Sequence, residues 1–120
     1  MTLRLEDAVG QKLLLAFEGT EPTARILETI RERHVGGVTL FRTLNVEGPE
    51  QVRRLTGGLQ DAAAGSGQPP LLIAADQEGG QLMALTGTTP FPGNMALGAT
   101  GSVDLTRRTG EALGRELGAM

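Results

Sequence analysis

The feature that most constrains the fold is the segment 71–80, in which an apolar run is followed directly by two acidic residues and two glycines. Residues 71–75 are five consecutive apolar residues, and they lead directly into Asp76, Glu78 and the pair Gly79-Gly80. An unbroken apolar run of this length is typical of a strand buried on both faces of a parallel sheet. In parallel α/β folds, ligands bind at the carboxyl ends of the strands. The sequence therefore predicts that Asp76, together with Glu78, is displayed to a small polar ligand.

Helices and strands alternate along the rest of the sequence. Apolar spacing, caps and breaker residues predict helices over residues 5–9, 21–34, 48–64 and 103–120, and strands over residues 12–17, 37–41 and 71–75. Residues 81–85 are predicted as a short extension or a hairpin arm, and residues 86–101 as a loop. Thr20 and Ser102 are the predicted N-caps of the helices that follow them, and Gly36 is predicted to stop the first of these two helices.

This alternation indicates a parallel sheet with right-handed crossovers. A complete eight-stranded barrel of this kind needs about 250 residues, and the chain has 120. The predicted fold class is therefore α/β: three βα units and a further helix, which form the first part of a TIM-like (β/α)8 barrel that is incomplete in this chain. We expect residues 1–120 to be a portion of one barrel domain, with no second domain.

Composition and charge exclude several classes of function. Net charge is −3 with acids and bases mixed along the chain, and the absence of a basic block disfavours nucleic-acid binding. The absence of cysteine excludes disulfides and thiolate metal sites, and one histidine with scattered acids makes no metal constellation. No apolar run is long enough to span a membrane, and the first residues lack a signal pattern. We therefore expect a cytoplasmic protein with no membrane partner. The alternative is a precursor whose leader sequence has been removed.

The turn after residue 75 has two interpretations. In an extended segment Asp76 and Glu78 point to the same side, because side chains alternate with period two. Gly79-Gly80 permits a sharp turn with positive φ, which brings main-chain N–H groups close to a ligand. A carboxylate there can accept hydrogen bonds from two sugar hydroxyls. The alternative is that Asp76 caps the turn and Glu78 is merely solvated.

Residues 75–80, with the sequence Ala-Asp-Gln-Glu-Gly-Gly, resemble the signature of glycoside hydrolase family 3. The likeness is to the N-terminal domain, in particular that of its bacterial β-N-acetylhexosaminidase branch. Other segments resemble the family in order and spacing, so that the likeness covers nearly the whole chain. These segments are residues 9–11 with 17–20, residues 34–41, and residues 91–92, 95–100 and 114–117.

The resemblance implies a retaining glycosidase that removes terminal β-linked N-acetylglucosamine without a cofactor. The implied substrates are peptidoglycan fragments, as in peptidoglycan recycling, or chitooligosaccharides. By the same resemblance Asp76 binds hydroxyls of the non-reducing sugar and is not the nucleophile. The family's nucleophile and its acid/base residues lie beyond residue 120. No catalytic residue is therefore expected within this chain, and the isolated 120 residues are expected to be inactive.

Three further residues are candidates for substrate binding. Gln81 stands where the family usually has an arginine, and an amide offers neither the charge nor the rigid fork of a guanidinium. Glu78 shares the turn with Asp76. Arg42 follows the second predicted strand, so that it lies either at the ligand-binding edge or on the surface as a solvated cation.

Other polar residues and a rival function complete the set of expectations. His34, in the last turn of a predicted helix, has a structural role by the helix-dipole argument. Asn45 and Asn94 lie in predicted loops; the family often has an asparagine near position 45, and Asn94 either lines a pocket or belongs to a turn. The rival function is a non-catalytic carbohydrate-binding or assembly module, in which a half-barrel pairs with another chain or self-associates through its open sheet edges.

Overall fold

Three short parallel strands form the centre of the computed structural model, which describes residues 4–120. The strands β1 (Leu14–Leu15), β2 (Gly37–Leu40) and β3 (Leu72–Ala75) lie in the order β1-β2-β3. The register of β2 with β3 runs from Gly37 opposite Leu72 to Leu40 opposite Ala75. The predicted parallel α/β sheet is confirmed, although β1 is much shorter than the predicted segment 12–17.

Six helices and a hairpin surround or follow the sheet in the described residues. The helices are α1 (Leu5–Gly10), α2 (Ala24–Arg33), α3 (Arg42–Asn45), α4 (Pro49–Gly65), α5 (Asn94–Ala99) and α6 (Val103–Gly118), and the antiparallel hairpin consists of β4 (Gln77–Gly79) and β5 (Leu82–Met83). The hairpin arm predicted at residues 81–85 is confirmed. The loop predicted over residues 86–101 is wrong in part, because it contains α5. Helices α3 and α5 are too short to show an apolar period, so the pattern could not predict them.

The ends of α2 differ from the predicted ones. The hydroxyl of Thr23, not that of Thr20, accepts the N–H of Ile26 and caps the helix. At the other end His34 takes a left-handed conformation with φ of 50°, and its N–H bonds to the carbonyl of Ile30, so the helix ends before Gly36. The predicted Ser102 cap of α6 is confirmed, since its hydroxyl accepts the N–H of Leu105.

The core lies between the sheet and helices α2 and α4. Buried apolar side chains come from both helices, from β2 and from the segments beside the sheet: Ile26, Ile30, Val35, Val38, Leu40, Val52, Leu55, Leu59, Ala62, Ala63, Leu71 and Leu85. Strand β3 is less well covered than predicted. Leu72 is 64% exposed, and the rest of the strand is half-buried. The expectation of a strand buried on both faces is wrong here. Ile73 and Ala75 pack against the core, whereas Leu72 points to the opposite face of the sheet, which is left exposed in the described residues.

Amide side chains tie the chain together at the amino end of the sheet. Gln11 donates from Nε2 to the carbonyl of His34 at 2.7 Å, and Gln68 donates to the carbonyl of Ile30 at 2.9 Å. Gln60 on α4 both donates to the carbonyl of Leu71 and accepts its N–H, each at 2.9 Å. Because an amide offers both a donor and an acceptor, these side chains satisfy main-chain groups that no strand pairing reaches.

At the carboxyl end of the sheet, the side chain of Asn45 likewise bonds to main-chain groups. Asn45 is fully buried. Its Nδ2 donates to the carbonyls of Phe17 and Gly19, both at 3.0 Å, and its Oδ1 accepts the N–H of Phe41 at 2.9 Å. The carbonyl of Asn45 in turn accepts a bond from Gln51 Nε2 at 3.0 Å. Asn45 thereby ties the segment after β1 to the end of β2.

We predict that Asn45→Ala lowers the free energy of unfolding by about 2–4 kcal/mol, because three main-chain groups lose their partner inside the protein. Urea denaturation measures the change. Asn94→Ala is the matched control, since Asn94 is exposed at the start of α5, and we expect a change within about 0.5 kcal/mol. Equal effects of the two substitutions would contradict the role assigned to Asn45.

Candidate functional site

The candidate site is the edge of the sheet where β2 and β3 end. Asp76 directly follows Ala75, the last residue of β3, and Arg42 begins α3 two residues after Leu40, the last residue of β2. Because Leu40 and Ala75 are register partners in parallel strands, both polar residues leave the sheet at the same edge. Both are exposed. The structure thus places two of the candidate residues on one open edge.

The hairpin carries the other two candidates. Glu78 lies on β4 and Gln81 in the turn before β5, and both are exposed. Gln77, between Asp76 and Glu78, is buried. This alternation is the one that an extended segment produces, and it leaves both carboxylates on the solvent side. The carbonyl of Asp76 accepts the N–H of Ala84 at 3.0 Å, which joins the end of β3 to the strand after the turn.

The glycine pair has the predicted conformation but serves a different contact. Gly79 and Gly80 have φ of 81° and 62°. The N–H of Gly80 bonds to the carbonyl of Phe91 at 2.8 Å, and a Cβ on Gly79 would stand 2.6 Å from the carbonyl oxygen of Pro92. The expectation that this turn brings free N–H groups to a ligand is therefore wrong for Gly80. The pair lets main chain pack directly on main chain.

His34 lies at the opposite, amino end of the sheet. Its Nδ1 is 3.6 Å from Oδ1 of Asp7, which also receives Nη2 of Arg4 at 2.8 Å. The hydrogen bond from Arg4 is the main reason why the pKa of Asp7 lies below its ordinary value. His34 also ends α2, and its carbonyl binds Gln11. These contacts agree with a structural role for the histidine.

A cavity of about 810 Å³ lies beside β3. Its lining is mainly apolar and comes from α4, from β3 at Ile73–Ala75 and from the chain end at Leu117–Met120. None of the four candidate residues lines it. Asp76 and Glu78 face open solvent, because three strands form only part of a barrel wall.

The described residues hold neither a cluster of metal-binding side chains nor a membrane-spanning helix. Between residues 4 and 120, no three histidine or acidic side chains come together in a way that could hold a metal ion. No helix in the same range combines the length and hydropathy needed to cross a membrane.

Comparison with known proteins assigns the chain to a family. Residues 4–120 match the profile described as glycosyl hydrolase family 3 N terminal domain, and the chain belongs to this family. The family resemblance of the motif around Asp76 is thereby confirmed. The parallel sheet, the helices and the matching structures confirm an α/β fold that is part of a TIM-like barrel.

The individual relatives are much longer than this chain. It is 35% identical to beta-hexosaminidase A of Pseudoalteromonas piscicida, over 98% of this chain and 23% of the relative. It is 37% identical to the beta-N-acetylglucosaminidase/beta-glucosidase of Cellulomonas fimi, over 96% of this chain and 19% of the relative. The structure of a glycoside hydrolase family 3 beta-N-acetylglucosaminidase from Paenibacillus sp. str. FPU-7 matches with a TM-score of 0.92 and 44% identity, over 98% of this chain and 22% of that one. The chain thus spans between 19% and 23% of the length of these proteins.

We predict that Gly79→Ala lowers the free energy of unfolding by about 1–3 kcal/mol, because alanine is strained at this φ and its Cβ meets the carbonyl of Pro92. Thermal or urea unfolding measures the loss. Gly110→Ala, on exposed α6 with open space around the added methyl, is the control and is expected to stabilise by up to about 1 kcal/mol. A neutral Gly79→Ala would refute the close packing at the turn.

Proposed function

We propose that the whole protein that carries this chain is a β-N-acetylhexosaminidase, which hydrolyses terminal β-linked N-acetylglucosamine. The observation that carries the proposal is the exposed Asp76 at the carboxyl end of β3, within a motif typical of the family. The 44% identity to a structure with beta-N-acetylglucosaminidase in its name supports the choice of substrate. Residues 1–120 would be one portion of the barrel domain, and the proposed natural substrates are peptidoglycan fragments or chitooligosaccharides.

In this proposal Asp76 is the principal contact with the sugar. Its carboxylate accepts hydrogen bonds from two hydroxyls of the non-reducing residue, and such charge-assisted bonds are about twice as strong as neutral ones. Glu78 and Gln81 on the hairpin contribute weaker contacts from one side, and Arg42 contributes from the end of β2. Gln81 would bind a hydroxyl without the charge of the arginine that is usual at this place in the family.

The chain itself supplies binding groups and no catalytic pair. A retaining glycosidase needs a nucleophile and an acid/base residue about 5 Å apart on either side of the scissile bond. Asp76 is assigned to the sugar hydroxyls, and the family places both catalytic groups further along the sequence. The isolated 120 residues would therefore show no glycosidase turnover. The cytoplasmic location stays a prediction from the sequence, which cell fractionation can check.

The test uses the whole protein and an aryl β-N-acetylglucosaminide. We expect hydrolysis. We also expect Asp76→Ala to lower kcat/KM, which corresponds to a loss of about 2–4 kcal/mol of transition-state stabilisation. Asp61→Ala is the control, because Asp61 is an exposed aspartate on α4, away from the edge, and it should leave kcat/KM unchanged. Activity on β-glucosides alone would refute the choice of sugar, and full activity of Asp76→Ala would remove Asp76 from the site.

A second candidate function is an assembly module, in which the open sheet pairs with another copy of this chain. The long side of β3 that pairs with no strand in the described residues favours this assembly function. Leu72 on this strand is 64% exposed, and the apolar cavity adjoins the same strand. At the other edge of the sheet Leu13 and Leu14 are also exposed. Unpaired strand edges with apolar side chains favour pairing with a further strand.

Sedimentation of the isolated chain tests this second candidate. If strands pair across copies, the chain sediments as a dimer or larger, and Leu72→Lys shifts it to the monomer because a charge at the edge opposes pairing. Leu105→Lys, an equally drastic change on exposed α6, should leave the mass unchanged. A monomer at all concentrations would refute the assembly function.

A further inference from the structure

We propose that Gln77 is a positioning residue, which fixes the main chain on both sides of itself and so holds Asp76 and Glu78 at the sugar-binding edge. This inference rests on the proposed function. Gln77 is buried, with only 8% of its surface exposed, so it is not itself displayed at the proposed sugar site. It acts through the two acids that flank it in the sequence.

The contacts of Gln77 close the base of the hairpin. Its Oε1 accepts the N–H of Leu85 at 2.9 Å, and its Nε2 donates to the hydroxyl of Thr88 at 2.8 Å. The hydroxyl of Thr88 in turn donates to the carbonyl of Leu85 at 2.9 Å. Both ends of the amide are thus used, and the side chain has one orientation that satisfies all of its partners.

This closed set of bonds restricts the residue before and the residue after Gln77. The carbonyl of Asp76 is held by the N–H of Ala84, so the segment from Asp76 to Gln77 is anchored by main chain on one side and by a buried side chain on the other. The carboxylate of Asp76 then leaves a rigid strand end, where a small displacement of the binding group weakens catalysis strongly.

A second anchor supports the same hairpin from outside. The carboxylate of Glu116 on α6 accepts the hydroxyl and the N–H of Thr89, the latter at 3.1 Å. The loop that follows Thr89 presents the carbonyl of Phe91, which binds Gly80 at the tip of the turn. The base of the hairpin is therefore fixed by Gln77 and its tip by a loop that α6 holds in place.

Gln60 provides the comparison that separates positioning from stability. Like Gln77, Gln60 uses both ends of its side-chain amide: it donates to the carbonyl of Leu71 and accepts the N–H of Leu71. These bonds lie at the amino end of β3, whereas Gln77 lies past the carboxyl end. Loss of either amide costs stability, but only Gln77 is next to the proposed sugar contact.

The experiment uses Gln77→Met and Gln60→Met in the whole protein. Both variants are assayed with the aryl N-acetylglucosaminide at a temperature below their midpoints of thermal unfolding. We expect both to lower that midpoint and only Gln77→Met to lower kcat/KM, by about 10- to 100-fold. In an Asp76→Ala background, Gln77→Met should cause a much smaller further loss, because only the weaker contact of Glu78 is left to position.

Each outcome decides one claim. Equal kcat/KM in Gln77→Met and Gln60→Met would overturn the positioning role, and so would a full additional loss in the Asp76→Ala background. Where Gln77→Met does not fold, Thr88→Val carries the test, since it removes the partner of Nε2. We expect a loss of several-fold in kcat/KM that becomes much smaller in the Asp76→Ala background. Unchanged activity of Asp76→Ala alone would overturn the proposed function instead.

Discussion

The structure depends on the parallel, in-register pairing of β2 with β3. Leu40 stands opposite Ala75, so the residues after both strands leave the sheet at one edge. Shifting a register by one residue would move every side chain of the strand to the other face. The strand pair therefore fixes the relative positions of Arg42 and Asp76, two of the proposed sugar contacts. The loops could not do this alone.

Buried amides extend this order beyond the short strands. β1 has only two residues and β2 and β3 have four each, so ladder hydrogen bonds cover little of the main chain. Asn45 and Gln77 satisfy main-chain groups at the carboxyl end, and Gln11, Gln60 and Gln68 do so at the amino end. Within the described residues, no buried side-chain nitrogen or oxygen lacks a partner. This satisfied polar framework favours a rigid main chain at the proposed sugar-binding edge.

The sequence predicted the class of fold well, because strand and helix patterns are local. The apolar run at residues 71–75, the caps such as Ser102 and the glycine pair each leave a local signal. It could not predict the Asn45 bonds or the contact of Gly80 with Phe91, since these join segments that are far apart in sequence. The exposure of Leu72 was also not predicted. An apolar strand indicates that both of its faces can be buried, but the sequence of the strand does not show whether this chain supplies the layer that covers them.

At the site, the sequence identified the exposed acids and overlooked the buried glutamine between them. A period-two pattern places Gln77 on the inner side as soon as Asp76 is placed on the outer side, so a signal for its burial existed. The identity of its partners depends on a return of the chain eight and eleven residues later, which the pattern does not reveal. Arg42 and Asp76 follow the same end of the sheet because of the strand register, which the sequence pattern does not give.

The most direct test of the central claim is a crystal structure of the whole protein with N-acetylglucosamine bound. The account predicts the sugar at the edge where β2 and β3 end, with two of its hydroxyls at about 2.6–3.0 Å from the carboxylate oxygens of Asp76. A sugar bound elsewhere in the barrel, with Asp76 still facing solvent, would contradict it.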